Sequence, residues 1–318
     1  MYNVCNAGAV VLVGIAAWLT ASCGGDSGGA KGKVQVFLEA EDTIPNGLDP
    51  GTGGENIVDG WTVRYTKFLV SVGNFRAGRS AAPNDKLSEP KTYVVDMKAL
   101  PAGGLVIAEF ASATAARWDK VGYDLPNATA ASTCVQGVST ADCALMKGNV
   151  YSVYFEATLT KPDGRACRPG VMPADCVPRT THTVAWGLKA GTSFDDCAPP
   201  QGDAGFAVPT GGTVQVKPTI HGDHWFFTNI TQGTEMTARR AQWIVDADAN
   251  RDGTTTLEEL KQATAASLFP SPTYNLSGAL ASSECANLTT AYCFLLAQAR
   301  TLGDYQGEGE CPTRKVLP

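Results

Sequence analysis

Through the first two thirds of the chain, apolar residues recur at every second position. Val34, Val36 and Leu38 form one face of a segment over 34–40, and 61–72 (WTVRYTKFLVSV) carries Trp61, Val63, Tyr65 and Leu69 on one side. A period of two is the pattern of a half-buried strand, and β-branched and aromatic residues favour it. The same texture predicts strands over 92–97, 104–110, 115–125, 150–159, 181–190 and 212–220. It is clearest at 150–159, where Tyr151, Val153, Phe155, Ala157 and Leu159 share a face. Turn-rich stretches such as 41–59 separate the strands. The expected architecture is mainly β, an antiparallel β-sandwich over residues 34–220.

After residue 221 the apolar period lengthens. Helices are expected over 234–247, 257–268 and 281–299, making 221–318 a helical segment. Between the first two lies DANRDGTTTLEE, with side-chain oxygens at Asp248, Asn250 and Asp252, glycine at Gly253 and a closing Glu259. Alternate oxygens on a tight turn suit a hard cation that takes six to eight oxygen ligands, and glycine tolerates the φ > 0 that the turn needs. The stretch resembles the calcium loop of EF-hand proteins. That resemblance implies Ca2+ on Asp248, Asn250, Asp252, the Thr254 carbonyl and Glu259, inside a helix-loop-helix. Thr255 stands where the family usually has an aliphatic residue that pairs with a sister loop, and no second loop of this pattern occurs in the chain. With only three side-chain carboxylates, affinity is expected near ~0.1–1 mM. Thr256 and Glu259 also fit a helix capping box, which is compatible with the metal loop.

The N-terminus bears on compartment. Residues 9–19 (AVVLVGIAAWL) form an apolar run too short for an ordinary membrane span and read as the core of a secretion signal. Followed by Leu19, Thr20, Ala21, Ser22 and Cys23, the run resembles a bacterial lipoprotein signal, although Thr20 replaces the usual leucine. This implies a signal peptide over 1–22, a lipidated Cys23, a flexible tether over 23–33 and attachment to a membrane of the cell envelope. Of ten cysteines, setting aside Cys5 and Cys23 leaves eight, an even number that suits disulfides in an oxidising compartment. Cys134 with Cys143 and Cys167 with Cys176 share the pattern C-x-x-G-V-x-x-A-D-C and read as local bridges. Cys285 with Cys293 is a further candidate local pair, which would leave Cys197 for Cys311, one of the 105 connectivities that eight cysteines allow. A net charge of −6 argues against a nucleic-acid partner.

The three histidines are His182, His221 and His224. His221-Gly222-Asp223-His224 ends a predicted strand, and two imidazoles with a carboxylate suit copper or zinc if the turn gathers them. His182 is a candidate further imidazole from another strand. The alternative is a polar turn with Asp223 or His224 capping a short helix. Segments 61–72, 91–97 and 181–197 resemble, in order and texture, the β-sandwich of the methanobactin-associated periplasmic copper-binding proteins. Those proteins bind copper through histidine and a modified tryptophan, so the resemblance points to His182 and Trp186; the calcium-like loop lies outside it. The sequence thus describes an exported, lipid-anchored, non-enzymatic calcium-binding protein whose calcium orders the C-terminal helices. Its rival is a periplasmic copper- or zinc-handling protein using His221, Asp223 and His224. The protein or small-molecule partner is left open in both.

Overall fold

The computed structural model describes residues 29–101, 103–171, 174–230, 237–277 and 280–318. The expected signal peptide, Cys23 and residues 24–28 of the tether lie outside these, as do residues 234–236 of the expected first helix. The rest of the tether is not loose: the first strand runs Lys31–Ala40, with Lys31 paired to Thr114 and Lys33 to Thr213.

Two larger sheets dominate. In the five-stranded one, Lys31–Ala40 lies parallel to Thr213–Val216 and Pro218–Ile220 and antiparallel to Leu105–Thr114, while Gly303–Tyr305 pairs antiparallel with Pro218–Ile220. The nine-stranded one is built on the long strand Thr62–Gly78, flanked by Val153–Thr160, Lys86–Asp96 and Lys120–Leu125, with Thr181–Leu188 beyond Val153–Thr160. The protein is mainly β, as expected, but its pairing is mixed rather than purely antiparallel. One buried core spans both sheets and the segment after residue 220, joining Val36, Phe68, Phe155, Trp186, Trp225, Trp243 and Phe294.

Strict alternation fails at one place for a clear reason. Leu69 does not share a face with Trp61, Val63 and Tyr65. The ladder shifts register between Tyr65 and Lys67, so Phe68, Val70 and Val72 turn into the main core, and Leu69 packs with Val94, Ala128 and Met146 on the other side. One extra residue in a strand inverts the parity of all that follow. Tyr151 likewise leaves the face of Val153, Phe155, Ala157 and Leu159, because it precedes the strand and packs on the outer cluster.

The predicted helices are shorter than their periodicity suggested. Among the described residues of 234–247, only Gln242–Asp246 is helical; Ile57 and Phe227 bridge to Arg239 in extended backbone. The second expected helix breaks into Leu257–Gln262 and Ala265–Leu268, and the third is confined to Ala291–Ala299. Ala291–Ala299 is buried on every side, which explains why its sequence shows no amphipathic stripe.

All four expected disulfides are present: Cys134–Cys143, Cys167–Cys176, Cys197–Cys311 and Cys285–Cys293. They fit an exported protein. No helix among the described residues is long and apolar enough to cross a membrane.

Candidate metal centre

Sheet register brings together what the sequence separates. Pro218–Ile220 ends immediately before His221 and pairs antiparallel with Gly303–Tyr305, placing Thr219 opposite Asp304. The ladder continues one step further, with His221 N–H donating to the Leu302 carbonyl at 3.0 Å. Asp304 therefore lies beside a histidine more than eighty residues earlier in the chain.

The turn after His221 is held from below. The Tyr65 hydroxyl donates to the Gly222 carbonyl and accepts from Trp225 Nε1 at 2.6 Å. Trp225 is fully buried and stacks on Phe155 with ring centroids 4.2 Å apart. A side chain at Gly222 would approach Ile44 Cγ1 to 2.7 Å, so only glycine lets the backbone pass there. Trp225 thus anchors the short 3-10 turn His224–Phe226 and fixes the direction of His224.

His221, Asp223 and His224 each offer one ligand atom, all within 4.8 Å of one another. Asp223 occupies the cap position of the 3-10 turn but makes no side-chain cap bond, so capping does not explain it. Its Oδ2 accepts from Arg239 Nε at 2.6 Å, and the same guanidinium lies over the Phe227 ring. Its Oδ1 is buried without a hydrogen-bond partner; the nearest groups are His221 Nδ1 at 3.7 Å and His224 Nε2 at 3.9 Å. Asp304 Oδ2 lies 3.3 Å from His221 Nε2 and 3.9 Å from His224 Nε2. His221, His224 and Asp304 line a cavity of about 490 Å3, with Arg239, Gln298 and Thr301 in its wall.

Proton placement in this cluster follows from one hydrogen-bond chain. The Thr301 hydroxyl donates to the Gln298 carbonyl at 2.7 Å, so it accepts from His224 Nδ1–H at 2.8 Å. Burial, reinforced by the His221 charge and opposed by Asp223, lowers the His224 pKa to about 3. His224 is therefore neutral at pH 7, and its Nε2 lone pair faces two carboxylate oxygens. Burial also disfavours charge on His221, but Asp304 and Asp223 outweigh it and raise the pKa to about 10. Burial pushes Asp304 up to about 8 against the pull of His221, so this pair retains at least one proton at neutral pH. For Asp223 the attraction of its cationic neighbours overcomes burial and holds the carboxyl well below its usual range. Burial and then the Asp223 charge raise the pKa of Glu41 nearby.

His182 does not join this cluster. It lies in Thr181–Leu188 against the 248–259 loop, with Nε2 2.8 Å from Thr255 Oγ1. Trp186, four residues on, donates its indole N–H to the Thr255 carbonyl at 2.7 Å. Thr255 is buried and its hydroxyl donates to the Ile244 carbonyl at 2.6 Å, so it accepts from His182 Nε2–H. These bonds account for a threonine at the eighth loop position. In place of a sister loop, Thr254–Thr255 pairs in parallel with Thr183 and Val184 at the sheet edge.

Within the loop, Asp248 Oδ1 and Oδ2 accept from the N–H groups of Asp252 and Gly253, Asn250 Oδ1 from Asp252, and Asp252 Oδ1 from Thr254. Gly253 has φ +95°, the conformation for which glycine was expected. Glu259 closes the turn: Oε1 accepts from Ala249 and Asn250, and Oε2 from Thr256, completing the capping box. The oxygens of Asp248, Asn250 and Glu259 and Oδ1 of Asp252 are thus engaged by backbone N–H groups of one turn, and Asp252 Oδ2 by the Asn250 side-chain amide, between helices of five and six residues.

Asp304, Arg239 and Thr301 escaped the sequence reading. Each lies far along the chain from the residue it contacts, and no local spacing marks any of them.

No protein-family model and no curated protein matches this chain. Among solved structures, MbnP from Methylosinus trichosporium is similar over 62% of this chain and 77% of that one, at 10% identity and a TM-score of 0.29.

Proposed function

We propose that this is an exported metal-binding protein that holds copper or zinc through His221, Asp223 and His224. The observation that carries this reading is the gathering of the His221, Asp223 and His224 ligand atoms within 4.8 Å of one another, with Asp223 Oδ1 buried and without a hydrogen-bond partner beside both imidazoles. A buried carboxylate oxygen that no group donates to is unfavourable unless a cation lies beside it. The Thr301 contact to the opposite ring nitrogen is what a metal-ligating histidine needs to fix its tautomer. The cavity gives an ion a path in and out, which suits handling of metal more than a permanent structural ion. Elemental analysis of untagged protein tests the proposal. Stoichiometric copper or zinc, lost in His224→Gln, is expected. Protein that carries neither metal and takes up neither in calorimetry would refute it.

A second reading concerns the 248–259 loop, which we propose as a calcium clip using Asp248, Asn250, Asp252, the Thr254 carbonyl and Glu259. It is supported by the pairing of Thr254–Thr255 with the sheet edge, through which an ordered loop would stabilise the fold by mass action. Attachment to the cell envelope through a lipidated Cys23 completes the proposal; metabolic labelling with a fatty-acid analogue, lost in Cys23→Ser, checks it.

A further inference from the structure

The 221–224 turn supplies two nitrogens and one free carboxylate oxygen, because Arg239 occupies the other oxygen of Asp223. We infer that Asp304 is the fourth ligand, and that the completed set selects a divalent ion, Cu2+ or Zn2+, over Cu+. This rests on the metal reading of the turn.

The spacings around Asp304 and His224 lie near those of one shared ion, and His221, which turns Nε2 to Asp304 at 3.3 Å and Nδ1 to Asp223 at 3.7 Å, would join it through Nε2. Four tetrahedral bonds of about 2.0–2.1 Å hold neighbouring donor atoms about 3.3–3.4 Å apart. Asp304 Oδ2 is 3.3 Å from His221 Nε2, and His224 Nε2 is 3.9 Å from both Asp304 Oδ2 and Asp223 Oδ1. His224 therefore stands midway between two acids, and closing each gap by about half an ångström reaches ligand spacing. Asp304 is held in place independently of any ion. Its residue pairs with Thr219, and its carbonyl accepts from the Tyr123 hydroxyl at 2.7 Å. The residue is buried, with its side chain 9% exposed, and lines the same cavity as both imidazoles.

Ligand softness decides the ion. Cu+ favours thiolate and thioether donors, whereas imidazole with carboxylate suits divalent copper and zinc. Among the described residues lining the cavity there is no cysteine or methionine. The eight cysteines from Cys134 onward are all consumed in disulfides.

The test titrates Cu2+ and Zn2+ into untagged protein by calorimetry, and Cu+ against bicinchoninate under ascorbate, with Cu2+ paramagnetic resonance as the spectroscopic readout. Asp304→Asn should weaken Cu2+ and Zn2+ by roughly tenfold or more, alter the Cu2+ spectrum, and change Cu+ affinity by less than about threefold. Asp304→Ala should behave alike; it guards against ligation by the asparagine oxygen, and near-UV circular dichroism identifies which variant is folded. Unchanged divalent affinity and spectrum in the folded variants, with metal still lost in His224→Gln, would overturn the Asp304 assignment alone. A wild type that takes Cu+ but neither Cu2+ nor Zn2+ would overturn the divalent assignment. Normal binding by His224→Gln would sink the underlying reading.

Discussion

The His221–His224 turn and the 248–259 loop use the same device with different outcomes. In each, a threonine hydroxyl donates to a backbone carbonyl and accepts from a buried histidine, which settles the tautomer: Thr301 with His224, and Thr255 with His182. In each, the other ring nitrogen faces a carboxylate. At the loop this is Asp248 alone, 3.9 Å from His182 Nδ1, and the charge is answered by the Gly253 N–H and by Arg179 at 3.9 Å. At the turn there are two carboxylates, and Arg239 engages only the far oxygen of one. At the loop, backbone N–H groups meet both Asp248 oxygens and it is the ring nitrogen His182 Nδ1 that lacks a partner, whereas at the turn the carboxylate oxygen Asp223 Oδ1 itself is left without a donor. A histidine beside an acid says little until its proton has been located.

The largest expected effect comes from removing the covalent support of one region. Cys197–Cys311 closes a separation of 114 residues, and Ala198 N–H donates to the Glu310 carbonyl at the cavity wall. Replacing both cysteines by alanine should cost about 4–5 kcal/mol in denaturant unfolding. It should weaken copper or zinc binding while leaving any calcium response of the loop in place. Equal losses at both regions would mean that they are one unit.

Acid should strike the loop through His182. Burial depresses its pKa from 6.5 to about 4, outweighing the attraction of Asp248. The folded state requires the neutral ring, so this contribution is complete above pH 6.5 and is lost as the pH falls towards 4, where only the unfolded chain takes up the proton. The side chain is 0% exposed, and the full loss is at most roughly 3 kcal/mol. His182→Gln keeps a donor for Thr255 and should flatten that part of the stability–pH curve. Parallel curves for wild type and variant would show that the ring does not titrate as described.

Thr301→Val frees His224 Nδ1 and should lower copper or zinc affinity by about 10–100-fold. Thr255→Val removes the matching bond at the loop and should lower stability by roughly 1–3 kcal/mol without changing that affinity. A similar metal phenotype in both would erase the distinction between the two regions. The smallest effect is expected for Glu259→Gln. It should abolish a melting-temperature rise in millimolar calcium and lower the calcium-free melt only modestly, through the backbone N–H groups that lose an accepting oxygen; no calcium-dependent rise in the wild type would dispose of the clip.

The two regions also differed in how readable they were. The loop is twelve consecutive residues, so Asp248, Asn250, Asp252, Gly253 and Glu259 reveal their shared turn by spacing alone. The turn yielded His221, Asp223 and His224 for the same reason, but not the groups that give them meaning. The helices are shorter than apolar content suggests because Ala291–Ala299 is apolar through enclosure, and Arg239 is bridged to Phe227 and Ile57 instead of turning in a helix.

Alternation and short-range spacing made the mainly β class, the contiguous calcium-like loop and the three local cysteine pairs legible in the sequence, whereas Cys197–Cys311, 114 residues apart, was one of many pairings that eight cysteines allow. Only the tertiary structure decided where the strands invert, because the register shift at Tyr65–Lys67 leaves no mark in composition. It alone put Asp304 against His221, through a ladder between Pro218–Ile220 and Gly303–Tyr305. It alone sent His182 to the loop instead of to His221, Asp223 and His224. Contacts of this kind are set by register and packing across the whole core, to which one-dimensional spacing is blind.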